Sequence, residues 1–244
     1  MRLNRGLLLA ALAVAALTTR LGWWQLERAA QKEQLQHSLD SRGALPELAG
    51  DELPRTAAEV GALQHRRARL TGRWLAEASV YLDNRPMNGR TGFYLVTPLL
   101  LDDATAVLVQ RGWTPRDAQD RTRLAPPPQT PAGVVVQGRI APALSRLYEF
   151  DAAASGPIRQ NLSLDAFARE MKLRLRPWVL IEDAGPAAPN DGLLRQWPAP
   201  NAGVHKHYGY AFQWFSLSAL TIVLYAWFQF IRPPRRRAAA EHAH

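Results

Sequence analysis

The chain is 244 residues long, contains no cysteine and carries a formal net charge of +9. The lack of cysteine excludes disulfides, cysteine-ligated zinc, iron–sulfur clusters and thiol redox chemistry. Nor does the charge call for a nucleic-acid partner: Arg2, Arg5, Arg232, Arg235, Arg236 and Arg237, less Glu241, put +5 of it outside the apolar ends, and the remaining +4 is spread thinly.

A first apolar stretch covers residues 6–26. Its opening, GLLLAALAVAALTT, has no charge; Arg20 interrupts it, and LGWWQL completes 21 residues. As a helix that is about 31 Å, enough to cross a bilayer core. Arg20 can snorkel to the far interface, beside Trp23 and Trp24 as belt aromatics. A cleaved signal peptide is the competing reading, but no small-x-small cleavage site followed by polar sequence is evident. An uncleaved anchor is expected.

Residues 27–39 continue the helix as a polar extension, 40–54 read as linker, and 56–63 predict a short helix. Strands are predicted at 66–74, 79–82, 93–101, 106–113, 134–140 and 178–182. DNRPMNGRTG reads as a turn-rich interruption, LDDAT as a hairpin break and Pro126-Pro127-Pro128 as a stiff loop. One helix is expected over 164–172 with Ser163 as its N-cap. The pattern predicts a mainly antiparallel α+β domain, an open sheet or partly closed barrel with minor helices. Residues 185–203, rich in Pro, Gly, Ala and Asn, lead back to the membrane.

The second span, 208–231, has 24 residues with no charge and no proline, and ends at RPPRRR. Positive charge outside both spans puts both termini in the cytoplasm and the middle across the membrane. The expected layout is a cytoplasmic N-terminus (1–5), transmembrane helix 1 (6–26), a periplasmic β-rich domain with linkers (27–207), transmembrane helix 2 (208–231) and a basic cytoplasmic tail (232–244). A bacterial inner membrane is the expected location.

No enzyme is expected. G-x-S-x-G, P-loop and G-x-G-x-x-G patterns are all missing. Asp102-Asp103 and Glu182-Asp183 are adjacent carboxylates, which on a strand point to opposite faces, and they read as solvated turns. Of six histidines, His242 and His244 lie in the tail, and His37 and His65 on polar surfaces. His205 and His207 stand at the mouth of the second span. At about 100° per residue, His207, Tyr210, Trp214, Ser218, Thr221 and Tyr225 share about 80° of arc. Such a stripe faces protein or ligand rather than lipid. It can pack on the Ala-rich first span, or His207 can offer its imidazole to a haem iron with Tyr210 and Trp214 against the macrocycle. A copper site at His205-Lys206-His207 has no thiol or Met cluster to support it.

Five segments in register carry a family likeness: LGWWQLERAAQK (21–32), YLDNRPMNGRTGFYLVTPL (81–99), VLVQRGWTPRD (107–117), VVVQGRI (134–140) and HYGYAFQWFSLSALTIVLY (207–225). Together they resemble the Surfeit-locus (Surf/Shy) family of cytochrome c oxidase assembly factors. The resemblance implies a helper that installs haem a in the main subunit of a haem-copper oxidase. It implies as partners that subunit, haem A synthase and membrane lipid. The family's transmembrane histidine, in the pattern H-x-x-Y-A-x-Q-W, corresponds to His207, with Tyr210, Ala211, Gln213 and Trp214 completing the match. Gln110 departs from the Asn of many relatives, and the pattern does not require His205. Pro86, Gly89, Gly92 and Arg111-Gly112-Trp113 read either as turn and strand geometry or as a docking surface. A scaffold that docks oxidase subunits without binding haem is the alternative function.

Overall fold

The computed structural model describes residues 5–117, 119–120, 124–128, 133–148, 156–184 and 190–231. Arg2 and the basic tail 232–244, with His242 and His244, lie outside the described residues. In chain order the elements are α1 (Arg5–Gly43), α2 (Ala57–Leu63), β1 (Arg67–Trp74), β2 (Val80–Met87), β3 (Arg90–Leu100), β4 (Ala106–Pro115), β5 (Val134–Ala141), β6 (Ile158–Arg159), α3 (Leu164–Met171), β7 (Leu175–Glu182) and α4 (Val204–Ala226). They fall into a helical unit (Met1–Gln36 with Pro200–His244) and a β-rich unit (His37–Ala199).

The helical unit follows from composition. α1 has no proline, and residues 27–36 of its polar portion are all Ala, Leu, Gln, Glu, Lys or Arg, strong helix formers. It runs to Gly43, several residues beyond the expected 39, with Arg42 in its last turn, a favourable place for a cation. α4 begins at Val204, N-capped by Gly203 in a left-handed conformation (φ 77°), so His205 and His207 are helical and not in the approach to the helix. Its apolar end continues as a π-type stretch, Trp227–Ile231. Both helices are long and apolar enough to cross a membrane.

The β-rich unit holds a seven-stranded sheet among the described residues, ordered β1-β5-β7-β4-β3-β2-β6, and a further β1–β3 pairing (Arg73↔Leu100, Trp74↔Leu99) partly closes it. The expectation of a mainly antiparallel sheet needs correcting: the sheet is mixed, because β4–β7 and β2–β6 are parallel. Parallel neighbours require a long crossover, and the chain between β4 and β7 supplies one that includes β5, β6 and α3.

The stretch read as a turn-rich interruption is mostly strand. Only Asn88 (φ 50°) and Gly89 (φ 74°) form the turn, the Asn-Gly pair that suits a two-residue hairpin, and β2 and β3 pair up to Met87↔Arg90. A bulge between Leu82 and Arg85, with Asn84 at φ 59°, gives β2 its irregular polar look. β4 is buried on both faces. Leu108 joins one core with Leu82, Val96, Phe167 and Val179; Val107 and Val109 join the other with Val60, Leu70, Ile140, Trp178 and Leu180. α2 starts with a capping box of Thr56 and Glu59, whereas Ser163 occupies the N-cap position of α3 without a side-chain capping bond.

Candidate functional site

Within the helical unit, α1 and α4 meet along a seam of residues spaced three and four apart. On α1 these are Ala15, Thr18, Gly22, Gln25 and Ala29; on α4, Val204, His207, Ala211, Trp214 and Ser218. Small residues set the approach: Ala15, Gly22, Ala29 and Ala211 are all buried. At Gly22 a Cβ would lie 2.8 Å from the Phe215 ring, so only glycine lets that ring seat on α1. Trp23 meets Phe215 edge-on, 6.0 Å between centroids. Ser218 Oγ donates to the Ala15 carbonyl (3.1 Å) and lies 2.9 Å from Thr19 Oγ1.

His207 lies in this seam near the start of α4. Its Nδ1 is 2.7 Å from Gln25 Oε1, and Nε2 makes no hydrogen bond among the described residues. Two polar contacts lie beyond the pair at that end of the seam: Tyr208 OH donates to Glu33 Oε1 (2.9 Å), and Lys32 Nζ donates to the Ala202 carbonyl (3.0 Å). The ring of His207 is half-buried, as is Trp214. Tyr210, on the flank of the seam, is 51 % exposed. The three site residues read from sequence therefore share one flank of α4 without hydrogen bonds to one another. Gln25 was missed. Its signal was a lone amide in the apolar continuation LGWWQL, where a polar side chain needs a partner. His205 and His37 are exposed, and His65 belongs to the β-rich unit. Among the described residues, no three His, Cys, Asp or Glu side chains gather as a metal site.

The β-rich unit contains a second unusual arrangement. Glu182 shares a face of β7 with Trp178 and Leu180; Arg111 shares a face of β4 with Val107 and Val109. At this end of the core Asp191 and Arg195 join them, and all four side chains are 1–6 % exposed. Glu182 was expected in a solvated turn; instead it is buried, because the segment beyond β7 folds back. Trp113 and Leu194 exchange both backbone hydrogen bonds (2.7 and 2.9 Å), and Trp197 Nε1 donates to the Glu182 carbonyl at 2.7 Å. Arg195 grips Asp191 with both Nη atoms (2.9 and 2.7 Å) and reaches Glu182 at 3.1 Å.

That unequal sharing sets the protonation. Burial pushes Glu182 up to about 7, further than Arg195 and Arg111 pull it back. Asp191 is also raised by burial, but the bidentate arginine and the Leu193 N–H leave it below its usual value. Glu182 is thus protonated more readily when folded. Its stabilising contribution is complete below its ordinary value of 4.5 and is lost as pH rises through about 7. At roughly 1.4 kcal/mol per pH unit, the loss is on the order of 3 kcal/mol. Urea titrations of wild type and Glu182→Gln at a series of pH values should show this slope only in wild type; a variant with the same slope removes Glu182 as its source.

The neighbouring motif residues are mostly internal. Arg111, Trp113 and Arg85 are 1 %, 1 % and 2 % exposed, and a Cβ at Gly112 would strike Leu193 at 2.5 Å. Trp113 Nε1 donates to the Arg85 carbonyl at 2.7 Å, while Arg85 Nη2 donates to the Gln160 carbonyl, also at 2.7 Å. Pro86, Asn88, Gly89 and Arg90 remain at the surface.

Comparison with known proteins covers nearly the whole chain. A family model described as the SURF1 family matches residues 12–219. A SURF1-like protein of Rickettsia bellii (strain RML369-C) is 27 % identical over 214 residues, spanning 84 % of this chain and 83 % of its own. One from Monosiga brevicollis is 25 % identical over 247 residues, spanning 90 % and 86 %. A third, from Dictyostelium discoideum, is 31 % identical over 100 residues, 38 % and 37 % of the two chains.

Proposed function

The chain belongs to the SURF1 family, and from that membership we propose that it is a membrane-anchored assembly factor for a haem-copper cytochrome c oxidase. In this reading it is no enzyme. It holds haem a as cargo at His207 and delivers it to the catalytic subunit, with haem A synthase as a further partner. The chain sits in a bacterial inner membrane with both termini cytoplasmic and the β-rich unit in the periplasm. The positive charges beyond both spans support that orientation.

The observation that carries the proposal is the state of His207. The imidazole is half-exposed, stands in the H-x-x-Y-A-x-Q-W pattern, and has an Nε2 without a hydrogen bond among the described residues. Such a nitrogen suits an axial ligand of haem iron. Trp214 and Tyr210 on the same flank of α4 offer aromatic surface to a macrocycle. The residues present therefore fit the group. The iron chemistry belongs to the haem; the chain's part is to hold and orient it.

The test is absorption spectroscopy on full-length protein purified from cells that make haem A. Wild type is expected to carry a Soret band that His207→Ala weakens or shifts. An equally strong and unchanged band in the variant rejects His207 as the ligand. Protease accessibility of residues 66–182 in spheroplasts checks the orientation; protection from outside overturns it.

One observation favours the second reading, a scaffold that docks oxidase subunits without haem. His207 and Ser218 of the polar stripe pack on α1 and bond to it, which a purely structural helix pair would also require. A scaffold would co-purify oxidase subunits undiminished after His207→Ala.

A further inference from the structure

We propose that Gln25 is a positioning residue for His207: its side-chain oxygen holds the proton on Nδ1 and so turns the lone pair of Nε2 outward. A neutral imidazole carries one N–H and one lone pair, and the hydrogen bond at one nitrogen decides which is which. Gln25 Oε1 can only accept, and at 2.7 Å from Nδ1 it stands at the short end of the N–H···O range. The bond is held in a fixed register by its surroundings. Gly22, one turn earlier on α1, seats Phe215; Ala29, one turn later, is fully buried; and the Glu33–Tyr208 and Lys32–Ala202 contacts fix the end of the seam. An amide with this support does not swing away to solvent, so His207 is locked in ring orientation as well as in tautomer.

The consequence for haem rests on the proposed role of His207; the tautomer does not. Histidines that ligate metals commonly donate their second N–H to a carboxylate, carbonyl or water, and losing that partner weakens binding about 10–100-fold. Here the partner is a neutral amide. It orients the ring without the extra basicity a carboxylate would lend, which suits a site that must release what it binds.

The experiment uses the full chain in detergent with wild type, Gln25→Leu, Gln25→Glu and His207→Ala. Ring ¹⁵N chemical shifts of the haem-free protein, assigned by difference from His207→Ala and recorded well above the ordinary histidine pKa, should show His207 with its proton on Nδ1. Gln25→Leu should lose that preference, and Gln25→Glu, which keeps the acceptor, should restore it. A wild-type proton on Nε2 overturns the proposal whatever haem does. Titration with ferric protoporphyrin IX should then show about 10–100-fold weaker binding in Gln25→Leu. In Gln25→Glu binding should be at least as tight as wild type, with a lower iron midpoint potential. Where His207→Ala does lose binding, unchanged affinity and spectrum in Gln25→Leu would also overturn it. If His207→Ala binds the porphyrin as wild type does while the tautomer is as described, the ligand assignment fails and the positioning by Gln25 stands. Equal helix content by circular dichroism in all four proteins separates these results from a broken helix pair.

Discussion

Arg195→Met is expected to destabilise the β-rich unit by about 3–5 kcal/mol, because it leaves buried carboxylates with their main cation removed. Arg195 serves Asp191 with both Nη atoms and Glu182 with one, in surroundings where these side chains are 3–6 % exposed. Arg111, 3.7 Å from Asp191 and stacked 4.3 Å over the Trp74 ring, cannot replace it. The effect should be larger above pH 7 than near pH 5, since Glu182 then adds a second uncompensated charge. Urea unfolding of the full chain, followed by tryptophan fluorescence, measures it. A loss below about 1 kcal/mol at high pH would mean that water, not Arg195, solvates these groups.

Trp113→Ala should remove a comparable amount, about 3–5 kcal/mol, through a cavity and a broken hydrogen bond together. The indole is 1 % exposed, lies against Gly92 where a Cβ would come within 2.6 Å of its ring, and donates to the Arg85 carbonyl. Its backbone also pairs with Leu194, so the loss falls where β4 holds the segment that carries Asp191 and Arg195. Trp113→Phe retains most of the volume and gives up only the N–H, for which about 1–3 kcal/mol is expected. Both are read from urea midpoints in the same assay. Equal losses in the two variants would assign the effect to the hydrogen bond and leave packing with no share.

Residues that form structure from their own neighbours were legible. The apolar stretches at 6–26 and 208–231 lie within the two long helices, and β4 and β5 were found within two residues of their ends. Of the stripe expected on α4, His207, Trp214 and Ser218 lie along the face that meets α1, whereas Tyr210 stands on its flank, 51 % exposed. Strand ends at polar residues were not legible. Asp83 to Met87 looked like turn because a bulge breaks the alternation there. The parallel β4–β7 pairing was likewise hidden, since no local pattern records which strand a crossover brings alongside.

The amino-acid order was sufficient for two apolar helices and for most of the short strands between them, but not for the start of the second helix, which takes in His207. Those features depend on periodicity, charge and turn chemistry within a few residues. The partners of the polar groups were assigned by folding alone. Gln25 reaches His207 across 182 positions of chain, and Glu182 becomes a buried acid only when Asp191 and Arg195 fold back beside Arg111. A charged or amide side chain looks the same in sequence whether water or protein solvates it; the difference lies in what the packed chain brings within hydrogen-bonding distance.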